Sequence, residues 1–266
     1  MFWYDGNLFH SDEISLNINH PALLYGASAF TTMRVYNRNL DHPLVYWSEH
    51  CDRLLTTLRS FGWTLPQWAQ IRSGAAILSA SFPVLRITVF PDGKEWITGR
   101  DLPQNLNLHQ REGVKGWVTA HPLHQRSSPQ YKTGNYLAPW LAYQQAQNLE
   151  ARDAILCDQS GNWLETSTGN LWGWQQGKWY TPGFNDSLLP GISRAHWLKI
   201  MESASIPVYE TLWTPKLVEG MEAIAYSNCV VELIPFREIW HCDRSFRLEP
   251  SHPAVKNLQT LSEVIN

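Results

Sequence analysis

Cysteine is scarce and dispersed in this chain. Its four cysteines, Cys51, Cys157, Cys229 and Cys242, stand far apart in 266 residues and form no C-x-x-C pair. That spacing argues against a structural zinc site and against a disulfide framework, and it suits a reducing compartment. No apolar run approaches the roughly 18 residues of a membrane span. The opening Met1-Phe2-Trp3-Tyr4-Asp5-Gly6 has no basic stretch leading into an apolar one, so no secretory leader is expected. An excess of one charge is also missing. Lys and Arg number 21 against 24 Asp and Glu, a net charge of −3, and the basic residues form no stripe for nucleic acid or an anionic membrane. There is no H-x-x-x-H or H-E-x-x-H pattern, no G-x-S-x-G and no Walker loop, which removes the usual zinc, serine-hydrolase and P-loop readings. No internal repeat, low-complexity tract or long charge run is present. The expectation is a soluble, cytoplasmic protein with no metal, nucleic-acid or membrane partner.

The composition, with 44% hydrophobic and 17% charged residues, is that of a globular protein, and the 14 tryptophans read as bulky core and interface filler. The length allows two modest domains. Residues 91–112 are rich in Pro, Asn, Gln and Gly and read as a loop and then a link, which divides the chain into 1–110 and 111–266. Before the link, alternation around Asp5-Gly6-Asn7 predicts a hairpin over residues 2–10. Strands follow at 29–36 and 84–90, with helices over 47–61 and 66–80. After it, strands are expected near 114–120, 154–157, 170–174, 178–181, 222–227 and 231–236. Helices are expected over 135–149, 192–201, 215–219 and 251–264, the third opening on the cap and proline Thr214-Pro215.

Three polar clusters carry the chemistry. The first, Gln125 to Tyr136, holds Lys132 between Tyr131 and Tyr136. A lysine in an aromatic, partly desolvated setting can serve as nucleophile or base. The second, Glu165-Thr166-Ser167-Thr168-Gly169-Asn170, opens on an acid. In the third, Leu189 to Arg194, Gly191-Ile192-Ser193 offers backbone N–H groups and a hydroxyl at a helix start, a seat for phosphate. Each has an ordinary reading: a surface lysine, a solvated loop acid, a helix cap. Together, a lysine, an acid and a phosphate seat are what pyridoxal 5′-phosphate requires.

At these residues the chain resembles the fold type IV (class IV) pyridoxal-phosphate enzymes, a group of branched-chain and D-amino-acid aminotransferases and 4-amino-4-deoxychorismate lyases. The resemblance runs through Tyr25-Gly26, His50-x-x-Arg53-Leu54, Lys132-x-x-Asn135, Glu165-x-x-x-x-Asn170-Leu171, Pro190-Gly191-Ile192-Ser193-Arg194, Ser227-Asn228 and Ile234-Pro235, in that order. It implies an α/β (α+β) fold of the D-amino-acid aminotransferase type, with a small N-terminal α/β domain and a larger C-terminal, cofactor-binding domain containing a barrel-like sheet. It also implies a homodimer.

By the same resemblance Lys132 forms the Schiff base and shuttles the proton, and Glu165 pairs with the pyridine nitrogen. Arg53, Ile192 and Ser193 bind phosphate, with Asn228 and Cys229 in the cofactor shell, and Tyr136 reaches the ring oxygen. Tyr25, Arg34 and Arg126 are the candidates for substrate recognition, and Arg86 is a further candidate cation. Phe30-Thr31-Thr32-x-Arg34 resembles the lyases, whereas transaminases carry an acid where Thr31 stands. The implied reaction is loss of pyruvate from 4-amino-4-deoxychorismate to give 4-aminobenzoate for folate synthesis, with Thr31 as candidate acid for the leaving group. The competing readings are a class IV aminotransferase and a non-catalytic relative that keeps the fold. The chain departs from the family pattern at Ala27, at Cys229 and at Pro91-Asp92.

Overall fold

The computed structural model describes residues 1–183, 187–242 and 244–264, and the chain divides into two compact units. The first comprises Met1–Pro103 together with Tyr131–Tyr136. Its strands are β1 (Phe2–Tyr4), β2 (Asn7–Phe9), β3 (Ala29–Arg34), β4 (Val84–Val89) and β5 (Glu95–Arg100), with helices α1 (Pro21–Tyr25), α2 (Trp47–Ser60) and α3 (Trp68–Ser79). The strands form one antiparallel sheet in the order β2-β1-β5-β4-β3. The β1–β2 turn places Asp5 and Gly6 at φ 47° and 74°, which is why the hairpin is signalled by an Asp-Gly pair.

Side chains alternate across a strand, and that alternation sorts this sheet. Trp3, Ala29, Met33, Leu85, Ile87, Val89 and Ile97 pack in one core with Leu54 and Leu58 of α2 and with Ile71, Ala75 and Leu78 of α3. The approach is close: a Cβ on Gly74 of α3 would lie 2.5 Å from the Trp3 ring. The other face of β3 to β5 carries, in register, Phe30, Thr88 and Trp96, then Thr32, Arg86 and Thr98, then Arg34, Val84 and Arg100.

The second unit comprises Gln104–Gln130 and Leu137–Asn266. Among the described residues its strands are β6 (Val114–Thr119), β7 (Asp153–Cys157), β8 (Trp163–Thr166), β9 (Asn170–Gln175), β10 (Lys178–Pro182), β11 (Val208–Thr211), β12 (Ala223–Asn228), β13 (Glu232–His241) and β14 (Arg244–Arg247). Its helices are α4 (Leu106–Glu112), α5 (Leu137–Asn148), α6 (Ile192–Ser203), α7 (Pro215–Glu219) and α8 (Pro253–Val264).

The strand path runs β11-β10-β9-β12-β13-β6-β7-β8, and a further pairing of β8 with β9 closes six of these strands into a barrel-like ring. The closing pair is Glu165↔Asn170. Parallel neighbours need long crossovers. Helix α5 connects β6 to β7, and α6 connects β10 to β11. Helix α5 buries Ala142 and Ala146 against Ala154 and Leu156. Trp197 and Met201 of α6 and Val255 and Leu258 of α8 pack on Trp172, Ala223 and Leu233.

Residues 91–112 are more ordered than their composition suggests, because they contain β5 and α4. The first unit ends at Pro103, and the six residues from Tyr131 to Tyr136 rejoin it. No described helix is long and apolar enough to cross a membrane.

Candidate active site

In the first unit the Tyr131–Tyr136 segment is stitched to the start of β3. Phe30 N–H donates to the Lys132 carbonyl at 2.9 Å, Gly134 N–H donates to the Ser28 carbonyl at 2.7 Å, and Ala29 bridges Thr133. Gly134 is required there, since a Cβ would lie 2.2 Å from Ser28 Oγ and 2.8 Å from the Gly26 carbonyl. This stitching sets Lys132 Nζ 4.9 Å from the Phe30 ring centroid and 5.3 Å from that of Tyr136. The two rings meet edge to face at 5.6 Å. The Arg86 guanidinium lies on Phe30 as well, 3.7 Å from its centroid. Arg86 Nε is buried without a hydrogen-bond partner, and burial, reinforced by Arg100, holds this guanidinium below its usual pKa against the opposing influence of Tyr136.

Thr31 does not share this face. Its side chain is fully buried, and its Oγ1 is hydrogen-bonded to His50 Nδ1 of α2 at 2.5 Å. The strand alternation that sends Phe30 towards Lys132 sends Thr31 into the helix-covered core, so the expectation that Thr31 serves as acid for the leaving group is corrected. Thr32, one residue on, lies on the Phe30 face opposite Arg86. Sequence reading passed over it because the strand's phase is not fixed by a Thr-Thr pair. Arg34 stacks on Tyr36 at 4.6 Å. Tyr25 ends α1 and is 76% exposed. Arg53 is half-buried and lies one turn after His50 on α2.

In the second unit Glu165 is buried near the end of β8. Its Oε1 accepts from Arg126 Nη1 at 2.7 Å, with the two side chains only 7% and 9% exposed, and its Oε2 accepts from Leu189 N–H at 3.1 Å. An opposite charge at this distance favours the ionised form of a carboxylate, the form that pairs with a protonated ring nitrogen. Arg126, a candidate for substrate recognition, is thus ion-paired with Glu165. A cavity of about 490 Å³ borders the pair and is also lined by His124, Gln125 and Cys157.

The turn after Glu165 is held from within. The buried Asp153 carboxylate accepts from the hydroxyls of Thr166, Ser167 and Thr168 and from Ala154 N–H. Burial raises the Asp153 pKa, and those hydroxyls oppose the rise. Asn228 is committed to structure: its Nδ2 donates to the Thr168 carbonyl, and its Oδ1 accepts from the N–H groups of Val230 and Val231. Cys229 beside it is half-buried. Ile192 and Ser193 are buried in the first turn of α6, after Gly191. Arg194 fixes that turn by donating to Thr181 Oγ1 at 3.2 Å, the Pro182 carbonyl at 3.0 Å and Glu210 at 2.6 Å.

Each unit by itself carries donors of a kind that pyridoxal phosphate takes. In the first, Lys132 is a primary amine on an aromatic floor. The second, taken alone, has a buried carboxylate held by Arg126 and a helix N-terminus. Among the described residues no group of three or more His, Cys, Asp and Glu is placed to hold a metal ion.

The class, an enzyme that works through pyridoxal phosphate, is that of the family the chain matches. The family follows from comparison. A model of the amino-transferase class IV family matches residues 28–239, and the chain belongs to that family. It is 22% identical to the branched-chain-amino-acid aminotransferase of Salmonella typhimurium, covering 89% of this chain and 84% of that one. It is also 22% identical to the aminodeoxychorismate lyase of Vibrio harveyi, over 94% and 90% of the two chains. A crystal structure of a branched-chain aminotransferase from Thermoproteus uzoniensis superposes with a TM-score of 0.83 at 20% identity, covering 99% and 94%.

Proposed function

We propose that this class IV enzyme is a lyase that releases pyruvate from 4-amino-4-deoxychorismate and leaves 4-aminobenzoate. The observation that carries the reading is the face of β3 to β5 on which Phe30 lies. It presents Thr32, Thr88, Thr98, Arg34, Arg86 and Arg100 and no carboxylate among its strand positions. Three guanidiniums suit a substrate with two carboxylates better than a branched-chain amino acid with one carboxylate and an apolar side chain.

When bound, pyridoxal phosphate supplies an electron sink for the substrate's amine-bearing carbon. Lys132 Nζ would hold the cofactor and would take the proton from that carbon. Glu165, ion-paired with Arg126, would pair with the ring nitrogen. Ile192 and Ser193 of the second unit would hold the phosphate; of the first, Arg53 is the candidate phosphate cation and Tyr136 the candidate donor to the ring oxygen. Asn228 supports the turn after Glu165, and Cys229 adds a weak thiol donor. Arg34 and Arg86 read the substrate carboxylates, and Thr32 Oγ1 is the hydroxyl offered to the departing enolpyruvyl group. We place Tyr25 at substrate entry. With Leu23 and Leu24, it leaves exposed apolar side chains at the end of α1; we propose a homodimer, and sedimentation at micromolar concentration tests that assembly.

The deciding assay supplies purified holoenzyme with 4-amino-4-deoxychorismate and follows pyruvate, in parallel with amino-acid and keto-acid pairs. Pyruvate release without keto-acid dependence supports the lyase. Exchange of amino groups with no pyruvate release overturns it in favour of an aminotransferase, the activity carried by the Salmonella relative's name. Within the lyase, Thr32→Val is expected to slow pyruvate release about a hundredfold.

A further inference from the structure

We infer that Asn170 is a positioning residue that joins the acid at Glu165 to the start of α6, so that the second unit reads ring nitrogen and phosphate as one rigid pair. The inference rests on the pyridoxal-phosphate roles given above to Glu165 and Ser193.

The peptide groups of Leu189 are gripped from both ends. The N–H is donated to Glu165 Oε2 at 3.1 Å, and the carbonyl accepts from Asn170 Nδ2 at 3.0 Å. These two side chains belong to the one residue pair that closes the barrel. From Leu189 only Pro190 and Gly191 lead to Ile192, the first residue of α6. Proline fixes its own φ, and Gly191 is pressed against the same amide: a Cβ there would lie 1.8 Å from Asn170 Oδ1.

A second strut holds the helix from behind. Arg194 Nε donates to Thr181 Oγ1, which in turn donates to the Leu171 carbonyl at 2.8 Å. Residues 170 and 171 of one strand therefore carry both supports of the α6 N-terminus, and the strand partner of the first of them is the acid. Asn170 spends its amide on Leu189 and needs no contact with a ligand to act. Its effect is to fix a separation, and a fixed separation rewards a ligand that carries both groups in one molecule over the two groups supplied apart.

The experiment compares apoprotein of the wild type and Asn170→Ala, measuring dissociation constants for pyridoxal 5′-phosphate, pyridoxal and inorganic phosphate by quenching of tryptophan fluorescence. We expect Asn170→Ala to weaken pyridoxal 5′-phosphate about tenfold, while pyridoxal and phosphate, measured separately, each change less than about threefold. Equal weakening of all three ligands, or of none, overturns the inference and leaves Asn170 a seam residue only. If Asn170→Ala does not fold, Asn170→Asp replaces it. That substitution keeps the shape and removes the donor to Leu189, and the same pattern is required of it. A wild-type protein that borohydride cannot fix to the cofactor at Lys132 defeats the cofactor roles themselves and this inference with them. A wild type that is fixed normally, with the tenfold difference missing, defeats the inference alone.

Discussion

Lys132 rests on the ring of Phe30, which also carries Arg86. Two cations share one aromatic surface, and the roles proposed for them differ in what a substitution should change. Lys132→Ala should abolish borohydride-fixable cofactor and lower turnover at least about a hundredfold, checked by mass spectrometry of the reduced protein. Arg86→Leu should leave that fixation intact and raise KM for the dicarboxylate about ten- to a hundredfold, read from initial rates. Thr31→Val should behave differently from both. Removing the hydroxyl that bonds His50 costs about 1–3 kcal/mol of stability, seen in urea unfolding, with turnover largely retained. Lys132, Glu165 and Ser193 can be singled out in the sequence because each sits in a short pattern whose chemistry is local. The orientation of Thr31 is not, since both faces of β3 carry buried residues and only the packing of α2 decides which is the core side.

At the scale of elements, the Tyr131–Tyr136 segment behaves as an extra edge bonded to β3. Gly134→Ala should push it outward, because the added Cβ meets Ser28 Oγ at 2.2 Å and a backbone carbonyl at 2.8 Å. We expect loss of the bound cofactor's visible absorbance with a smaller change in Tm. A second substitution, Ser28→Ala, should restore part of the absorbance, since it clears the nearer contact and not the farther. Helix periodicity located α2, α3, α6 and α8 well, because their buried stripes are regular. It missed β5 and α4, whose residues are polar on one side and read as linker. The partners of Glu165 were illegible for another reason: Arg126 and Leu189 lie far from it along the chain, and only the closed sheet brings them together.

For the molecule as a whole, the cysteines respond to pH in a way that follows from burial. Burial pushes the Cys51 thiol to about 11 and the Cys157 thiol to about 12, against an ordinary value of about 9. Below pH 9 both states keep their protons and nothing is lost. As pH rises from 9 towards 12 the unfolded chain releases protons that the folded one retains, so stability falls across that window. Thermal melts taken every half unit of pH should show the decline, and Cys157→Ala should flatten it. At pH 8 a thiol reagent should modify the exposed Cys242 while sparing Cys51 and Cys157.

The ring of the second unit also sets an order of assembly. Strands β8 and β9 are joined by a short turn and pair locally, so the seam at Glu165 and Asn170 can form early. Strands β6 and β13 come from opposite ends of the unit and pair in parallel, Val114 with Phe236. Loop-closure entropy must be met before that contact returns anything, which makes it the slow step. Pulsed hydrogen exchange during refolding should find the amides of β13 protected after those of β9. Until residues 232–241 have left the ribosome, β12 and β6 have no β13 to join them and the ring cannot close.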